Sequence, residues 1–179
     1  MKKKIIITLI IVLLIGIGLG LYVHYKPNKS DNNTKTNEEV TIIGNDDYGY
    51  LKLPGNWYKF QDVEGKSALQ YSIDSVWIVT IEAYTPNMVD QTAETMAKTE
   101  LNNLQNNEEG VINTSMASLK LADYDAYQVY GLYTNDNIWL SEWFFEPGDG
   151  KIHYISVEGP DHNSDYFAIP KTFSLTKIK

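Results

Sequence analysis

Residues 126–158, AYQVYGLYTNDNIWLSEWFFEPGDGKIHYISVE, decide the fold that we expect for this chain. Stretches rich in aromatic and β-branched residues alternate here with two short polar segments, and such stretches favour β-strands. The polar segments, 135–137 and 147–150, consist of the Asn, Asp, Gly and Pro residues that form turns. Strands joined by such short links pair in antiparallel fashion. The sequence therefore predicts an antiparallel meander with strands at 126–134, 138–146 and 151–158.

A helix is predicted before the meander. Its apolar residues recur with the spacing that places them on one helical stripe: Val89, Ala93, Met96, Ala97, Leu101 and Leu104. Asn87 or Asp90 can cap the start of this helix, and Gly110 lies beyond its end.

Further strands are predicted on both sides of this helix, at 48–54, 67–73, 76–84 and 111–118. Segment 164–172 is predicted to form a short terminal helix that is interrupted near Pro170. Strand 138–146 is apolar on both faces at its N-terminal end, which indicates cover on both sides of the sheet. We therefore expect an α+β fold in which an antiparallel sheet of about six to seven strands is covered by helices.

The N-terminus predicts a membrane anchor. Lys2, Lys3 and Lys4 precede an apolar run at 5–23 whose only polar member is Thr8. As a helix, this run spans about 28 Å, close to the hydrocarbon thickness of a bilayer. Basic flanks stay in the cytoplasm, so residues 1–4 are predicted inside, residues 5–25 across the membrane and the C-terminal domain outside. This localises the chain to a bacterial cytoplasmic membrane as a single-pass protein.

A cleaved signal peptide is the alternative for the same segment. Signal peptides have shorter apolar regions that end in small residues. Here Tyr22 and Tyr25 lie at the boundary, where aromatic side chains favour a membrane interface and a retained signal-anchor. Gly16 and Gly20 have the spacing that lets two membrane helices pack closely. Gly18 lies between them, and we favour a merely glycine-rich stretch over a specific helix dimer.

Charge and composition limit the partners of the outer part. All 23 acidic residues follow residue 25, the net charge is −8, and every basic residue is lysine. A nucleic-acid partner is not expected, because phosphate neutralisation needs a basic face. The chain has no cysteine, so neither a disulfide nor a lipid-modified cysteine is expected. Residues 26–39 predict a flexible tether with a reach of about 20 Å, followed by a domain at 40–179.

The order of these elements resembles the PsbP/Mog1 superfamily, as found in bacterial extracytoplasmic PsbP-like proteins. The resemblance covers residues 45–177 and rests on a Leu-Pro-x-x-Trp phrase at 53–57, a Tyr- and Gly-containing stretch at 127–131 and a Thr-Phe-Ser-Leu phrase at 172–175. It implies an α/β/α sandwich used as a binding or assembly module. Plant members assist an oxygen-evolving photosystem and the yeast member binds a small GTPase, but no functional residue of either group matches a position here.

Three residues near the C-terminus, Asp161, His162 and Asp165, can in principle ligate a divalent cation. The same stretch also fits a turn and a helix cap, with Asn163 or Ser164 as the N-cap, and this is the interpretation that we favour. The acidic turns lack the ligand spacing of an EF-hand. No cofactor is expected.

Two further groups of side chains are candidates for function. The strand carboxylates Glu142, Glu146 and Glu158 permit a paired-carboxylate glycosidase, but we expect them to be solvated. His153 is expected to be an exposed or hydrogen-bonded strand residue and not a catalytic base. Exposed aromatic side chains can bind sugars or proteins, and the candidates are Trp57, Trp77, Trp139 and Trp143.

These observations predict a non-enzymatic binding or assembly module held at the outer face of the membrane. Its expected partners are the lipid bilayer, through residues 5–25, and an unidentified protein or cell-envelope component. A cell-wall glycan-interacting or hydrolytic domain is the alternative, and a sensor or regulator of a neighbouring membrane complex is a third possibility.

Overall fold

The short turns of the sequence bring seven strands into one antiparallel sheet. The structure is a computed structural model that describes residues 39–61, 67–106, 108–162 and 164–178. In chain order the strands are β1 (Val40–Asn45), β2 (Gly49–Pro54), β3 (Tyr58–Phe60), β4 (Leu69–Ile73), β5 (Trp77–Tyr84), β6 (Val111–Leu121), β7 (Tyr124–Tyr133), β8 (Ile138–Phe145) and β9 (Ile152–Gly159). Helix α1 (Ala93–Asn106) lies between β5 and β6, and a 3₁₀ helix (Asp165–Thr172) follows β9.

The predicted meander is confirmed. The order across the sheet is β3-β4-β5-β9-β8-β7-β6, and every neighbouring pair is antiparallel. The link before the meander is shorter than the predicted strands at 111–118 and 126–134 imply, because β6 continues to Leu121 and β7 begins at Tyr124. The turn lies at Ala122–Asp123, and Ala122 has a left-handed φ of +49° there. The α+β class is therefore correct.

The start of helix α1 differs from the prediction. Val89 is 100% exposed and lies before the helix, so its place in the apolar stripe was wrong. Neither Asn87 nor Asp90 caps the helix. Thr92 does so, because its Oγ1 accepts a hydrogen bond of 3.2 Å from the Thr95 amide.

Each face of the sheet has a cover. Helix α1 packs on β6, β7 and β8 through its buried residues Ala93, Ala97 and Leu104. The β1–β2 hairpin and the 3₁₀ helix cover the opposite face, where the largest core forms around Leu51, Leu53, Ile81, Phe145, Ile155, Ile169 and Phe173. The side chain of Ser164 accepts a hydrogen bond from the Tyr166 amide at 3.2 Å, which confirms the predicted cap.

The predicted membrane segment, 5–25, and the tether up to residue 38 lie outside the described residues. These segments include Tyr22 and Tyr25, which were predicted at the membrane interface, and the Gly16–Gly20 pair. In the part of the chain that the structure does describe, no helix is both long and apolar enough to cross a membrane.

Gly159 allows the 3₁₀ helix to dock. A Cβ atom at this position would overlap the ring of Trp77, which packs against Tyr166 and Phe167 at centroid distances of 4.8 and 5.7 Å. We expect Gly159→Ala to lower the free energy of unfolding by about 1–3 kcal/mol, because overpacking forces the indole out of its site. Urea unfolding measures this loss.

A Trp77→Leu background is the control for this prediction. The smaller side chain leaves room for the added methyl group, so Gly159→Ala should cost clearly less there than in the wild-type background. An equal cost in both backgrounds would contradict the proposed overlap.

Candidate functional site

A cavity of about 1110 Å³ lies on the helix-covered face of the sheet, above the strands that α1 leaves open. We call it the acidic cavity. Its floor comes from β4, β5, β9 and β8, and its wall comes from residues 88–91 and the first turns of α1. Five carboxylates line it: Glu82, Asp90, Glu100, Glu142 and Glu158. Among the described residues no lysine or histidine lines it, so the described lining is negative or neutral.

The floor of the acidic cavity contains a row of buried polar side chains. Gln70, Thr80, Ser156 and Glu142 are successive cross-strand partners on β4, β5, β9 and β8. Direct partners in an antiparallel sheet point to the same face, so the row is continuous. Each of these residues is less than 9% exposed, although they occupy sheet positions that apolar residues usually fill.

Glu142 is the most constrained group in this row. Its side chain is 5% exposed, and its Oε1 accepts a hydrogen bond of 2.7 Å from the Tyr154 hydroxyl. Its Oε2 is buried and has no hydrogen-bond partner among the described residues. Burial, followed by the nearby charge of Glu100, raises the pKa of Glu142 to about 8, and Glu158 adds to this effect. The Tyr154 hydrogen bond opposes the rise because it favours the ionised form.

The expectation that the strand carboxylates are solvated is thus wrong for Glu142. Glu158 is half-buried in the same cavity. Glu146 lies at the end of β8, where its carboxylate accepts a hydrogen bond of 2.7 Å from the Ala93 amide and stabilises the first turn of α1. The structure therefore brings two of the three predicted carboxylates together and gives the third a structural role.

A second anchored carboxylate lies further along the acidic cavity. Glu82 accepts a hydrogen bond of 2.8 Å from the Tyr84 hydroxyl at Oε2 and another from the Ser67 hydroxyl at Oε1. Burial raises the pKa of Tyr84 well above its ordinary value, and Glu82 reinforces the effect. Tyr84 therefore stays a neutral donor to Glu82 across the physiological pH range.

Aromatic and aliphatic side chains complete the acidic cavity. The rings of Phe144 and Tyr154 pack at 5.2 Å, and those of Tyr84 and Tyr154 at 6.5 Å. Met88 and Val89, which are 69% and 100% exposed, lie at its rim. The cavity can thus contact methylene groups as well as positive charge.

The opposite face of the sheet has a smaller cavity of about 610 Å³, which we call the aromatic cavity. Tyr130, Trp139, His162 and Phe167 line it, and the Trp139 and His162 rings are 4.7 Å apart. On its floor the Gln128 amide donates a hydrogen bond of 3.2 Å to the Ser141 hydroxyl.

The four candidate tryptophans have different environments. Trp57 and Trp143 are only 7% and 4% exposed and belong to the core. Trp77 packs under the 3₁₀ helix, and Trp139 is the one that lines the aromatic cavity.

Asp161, His162 and Asp165 are not brought into one coordination group. The described residues contain no set of three or more His, Asp or Glu side chains that could hold a single metal ion. His162 instead packs against Trp139.

His153 is fully buried on the core side of the sheet and does not line the acidic cavity. Its Nε2 lies 3.0 Å from Asp149 Oδ2, and its Nδ1 lies 3.2 Å from the Tyr48 carbonyl oxygen. The prediction of a hydrogen-bonded structural histidine is confirmed.

Comparisons with known proteins add little to this geometry. No protein-family model matches the chain. No curated protein matches it either. Among solved structures, the chain is similar to a Pseudomonas aeruginosa protein of unknown function, with 12% identity, a TM-score of 0.39, and coverage of 68% of this chain and 83% of that one. A likeness at this level carries no argument about function.

The buried carboxyl group makes stability depend on pH. The pKa of Glu142 is about 8 in the folded chain, against an ordinary value of 4.5, so the folded chain holds a proton that the unfolded chain loses within this window. The contribution of Glu142 to stability therefore falls as the pH rises from about 4.5 to about 8. Glu142→Gln cannot ionise and therefore does not lose stability in this way. We expect its free energy of unfolding to exceed that of the wild type by an amount that grows with pH and reaches the order of 4 kcal/mol.

Thermal unfolding at a series of pH values tests this prediction. The melting temperature of Glu142→Gln should exceed that of the wild type by several degrees at pH 8.5 and by much less at pH 5. Glu109→Gln, which removes an exposed carboxylate outside the acidic cavity, is the matched control and should track the wild type. A difference that is constant with pH would contradict the assignment.

Proposed function

We propose that this chain is a membrane-anchored, extracytoplasmic binding module and that the acidic cavity binds a positively charged ligand. One observation carries the ligand site: Glu142 places a buried, unpartnered oxygen in a cavity lined by five carboxylates and by no described basic residue. An unsatisfied buried polar group costs about 1–3 kcal/mol, and a bound cation offsets that cost. Ligand binding is therefore more strongly favoured here than elsewhere on the described surface.

The proposed location rests on the sequence. The apolar run behind Lys2, Lys3 and Lys4 supports an anchor at 5–25 in a bacterial cytoplasmic membrane, with the N-terminus inside and the domain outside. The bilayer is then one partner, and the ligand comes from the cell envelope or from a neighbouring protein. The five carboxylates of the acidic cavity also support the proposal that nucleic acid is not a partner.

We also propose that the domain is a PsbP/Mog1-like α/β/α sandwich. The phrase at 53–57 supports this assignment, because Leu53 is fully buried and the Trp57 indole donates a hydrogen bond of 3.0 Å to the Pro54 carbonyl. Residues 53–57 thus form a compact corner at the end of β2. A binding or assembly role is what this superfamily implies.

The aromatic cavity favours a second candidate function, in which the domain contacts a cell-wall glycan. Trp139 and Tyr130 border a floor made of the neutral polar side chains Gln128 and Ser141. Flat rings beside neutral hydrogen-bonding groups suit a sugar. A role as a sensor or regulator of a membrane complex would use the same surfaces.

The membrane location has a direct test. We expect the full-length chain to sediment with membranes after a carbonate wash, and external protease to remove its C-terminal domain from spheroplasts. Replacing Leu13 and Leu14 by Asp should release the chain, because each central carboxylate costs about 3 kcal/mol in the bilayer. Replacing both leucines by Ile is the matched control. Full-length, unprocessed chain in the soluble cytosolic fraction of wild-type cells would overturn the anchor.

The ligand site is tested with the full-length chain in detergent. Cadaverine, spermidine, Ca²⁺ and Mg²⁺ are added separately, and the melting temperature is recorded. At least one of these cations should stabilise the wild type and Glu109→Gln by about 3 kcal/mol at a hundredfold excess over its dissociation constant. The same cation should stabilise Glu142→Gln much less. If no cation stabilises the wild type, or if Glu142→Gln responds fully, the proposed site is wrong.

A further inference from the structure

Glu142 and Glu82 lie at separate positions in the acidic cavity. Glu142 lies on β8 and Glu82 on β5, with β9 between these strands. The cross-strand row of Glu142 reaches β5 at Thr80, two residues before Glu82. Two strand steps separate the backbones of these residues by about 10 Å, so the two carboxylates offer separate positions for positive charge. The absence of a three-ligand metal group among the described residues agrees with this spacing.

An elongated cation matches the spacing. The buried Phe144 and the ring of Tyr154 line the cavity beside Glu142, and Met96 lines it from α1. Methylene groups can pack on these surfaces while terminal ammonium groups reach separate carboxylates. Ammonium groups are compact point charges that carboxylates bind without a fixed coordination geometry.

Glu142 must lose its carboxyl proton before it can form an ion pair with the first ammonium group. The other charged groups that line the acidic cavity in the described structure are all acidic. Glu100 on α1 and Glu158 on β9 act on Glu142 directly, and Glu82 on β5 and Asp90 before α1 line the same cavity. The tyrosines that face it are Tyr154 on β9, Tyr84 on β5 and Tyr133 on β7, and burial raises the pKa of each above its ordinary value. The tyrosines therefore remain neutral, and Glu142 is the group whose proton can leave.

Resting on the proposed cation site, we infer that the acidic cavity binds an aliphatic diamine or an equivalent pair of primary ammonium groups, and that binding exchanges the Glu142 proton for one ammonium group. The O–H bond of the Glu142 carboxyl breaks, the proton passes to solvent, and the carboxylate pairs with the arriving cation. At Glu142 one positive charge replaces another, and the second ammonium group of the ligand adds one positive charge to the cavity. The second ammonium group lies near Glu82.

Tyr154 acts in this exchange as a positioning residue. Its hydroxyl donates to Oε1, so the unpartnered Oε2 is left for the ligand. The same hydrogen bond favours the ionised carboxylate that pairs with the cation.

Isothermal titration of the full-length chain in detergent with cadaverine tests the exchange. Measurements at pH 7 in phosphate and in Tris, which differ in ionisation enthalpy, should reveal release of close to one proton per ligand. The affinity should rise about 50–100-fold between pH 6 and pH 9, because a carboxyl group with a pKa near 8 is almost fully protonated at the lower pH. Binding with neither proton release nor this pH dependence would overturn the exchange and leave the cation site standing.

Three variants separate the parts of the inference. Glu142→Gln, which cannot ionise, should bind weakly with no proton release, whereas the control Glu109→Gln should match the wild type. Tyr154→Phe should move the midpoint of the affinity–pH curve to higher pH, which a purely structural effect would not do. Glu82→Gln should keep the proton release and reduce the preference for cadaverine over pentylamine, which we expect to be at least tenfold in the wild type.

The source of the ammonium groups is decided by a parallel titration with trilysine. If trilysine binds more tightly than cadaverine, the proton exchange is supported and the ligand is a polypeptide that supplies lysine side chains. If cadaverine binds more tightly, the proton exchange is supported and the ligand is a free diamine. Tighter binding of Ca²⁺ than of either would overturn the proposed ligand class, and a failure of every cation to bind would overturn the cation site as well.

Discussion

The register of β8 between β7 and β9 is the constraint on which the acidic cavity depends. It places Glu142 opposite Val129 on one side and opposite Ser156 on the other. Because side chains alternate between the faces of a strand, a shift by one residue would move Glu142 into the opposite core and bring Trp143 into the cavity. Trp143 and Phe145 are 4% and 0% exposed in that core, and their burial holds the register. Apolar packing on one face therefore fixes a carboxyl group on the other.

The limited cover of the sheet explains why cavities form beside it. Helix α1 packs on β6, β7 and β8, with Ile152 at the start of β9 in the same core, and β4, β5 and the rest of β9 border the acidic cavity on this face. The hairpin and the 3₁₀ helix cover the other face but leave open the region around Gln128 and Ser141. Where the sheet borders a cavity, its floor carries polar side chains, namely Gln70, Thr80, Ser156 and Glu142 in one cavity and Gln128 and Ser141 in the other. The two cavities thus follow from the number and length of the covering elements.

Local signals in the sequence were sufficient for the elements and insufficient for the site. The turns at 135–137 and 147–150 and the stripe from Ala93 to Leu104 each lie within one stretch of chain, and the structure confirms them. Val89 misled the prediction because it has the helical spacing but precedes the cap at Thr92. The polar row of the cavity joins four strands, and it becomes visible only once their registers are known. One local signal did exist, namely the carboxylate of Glu142, which directly precedes three consecutive aromatic residues at 143–145.

The choice of glutamate at position 142 favours binding over a purely structural role. A glutamine could accept the same hydrogen bond from Tyr154 and would not ionise, so a domain that needed only stability would be better served by the amide. With glutamate, the folded chain instead loses stability as the pH rises, because the negative charge of Glu142 is buried beside Glu100 and Glu158. Only a carboxyl group can alternate between two forms. The neutral form is buried in the empty cavity at a low cost in free energy, and the charged form pairs with a cation. A bound cation therefore stabilises the charged form, whereas below a pH of about 8 the proton that must leave weakens binding.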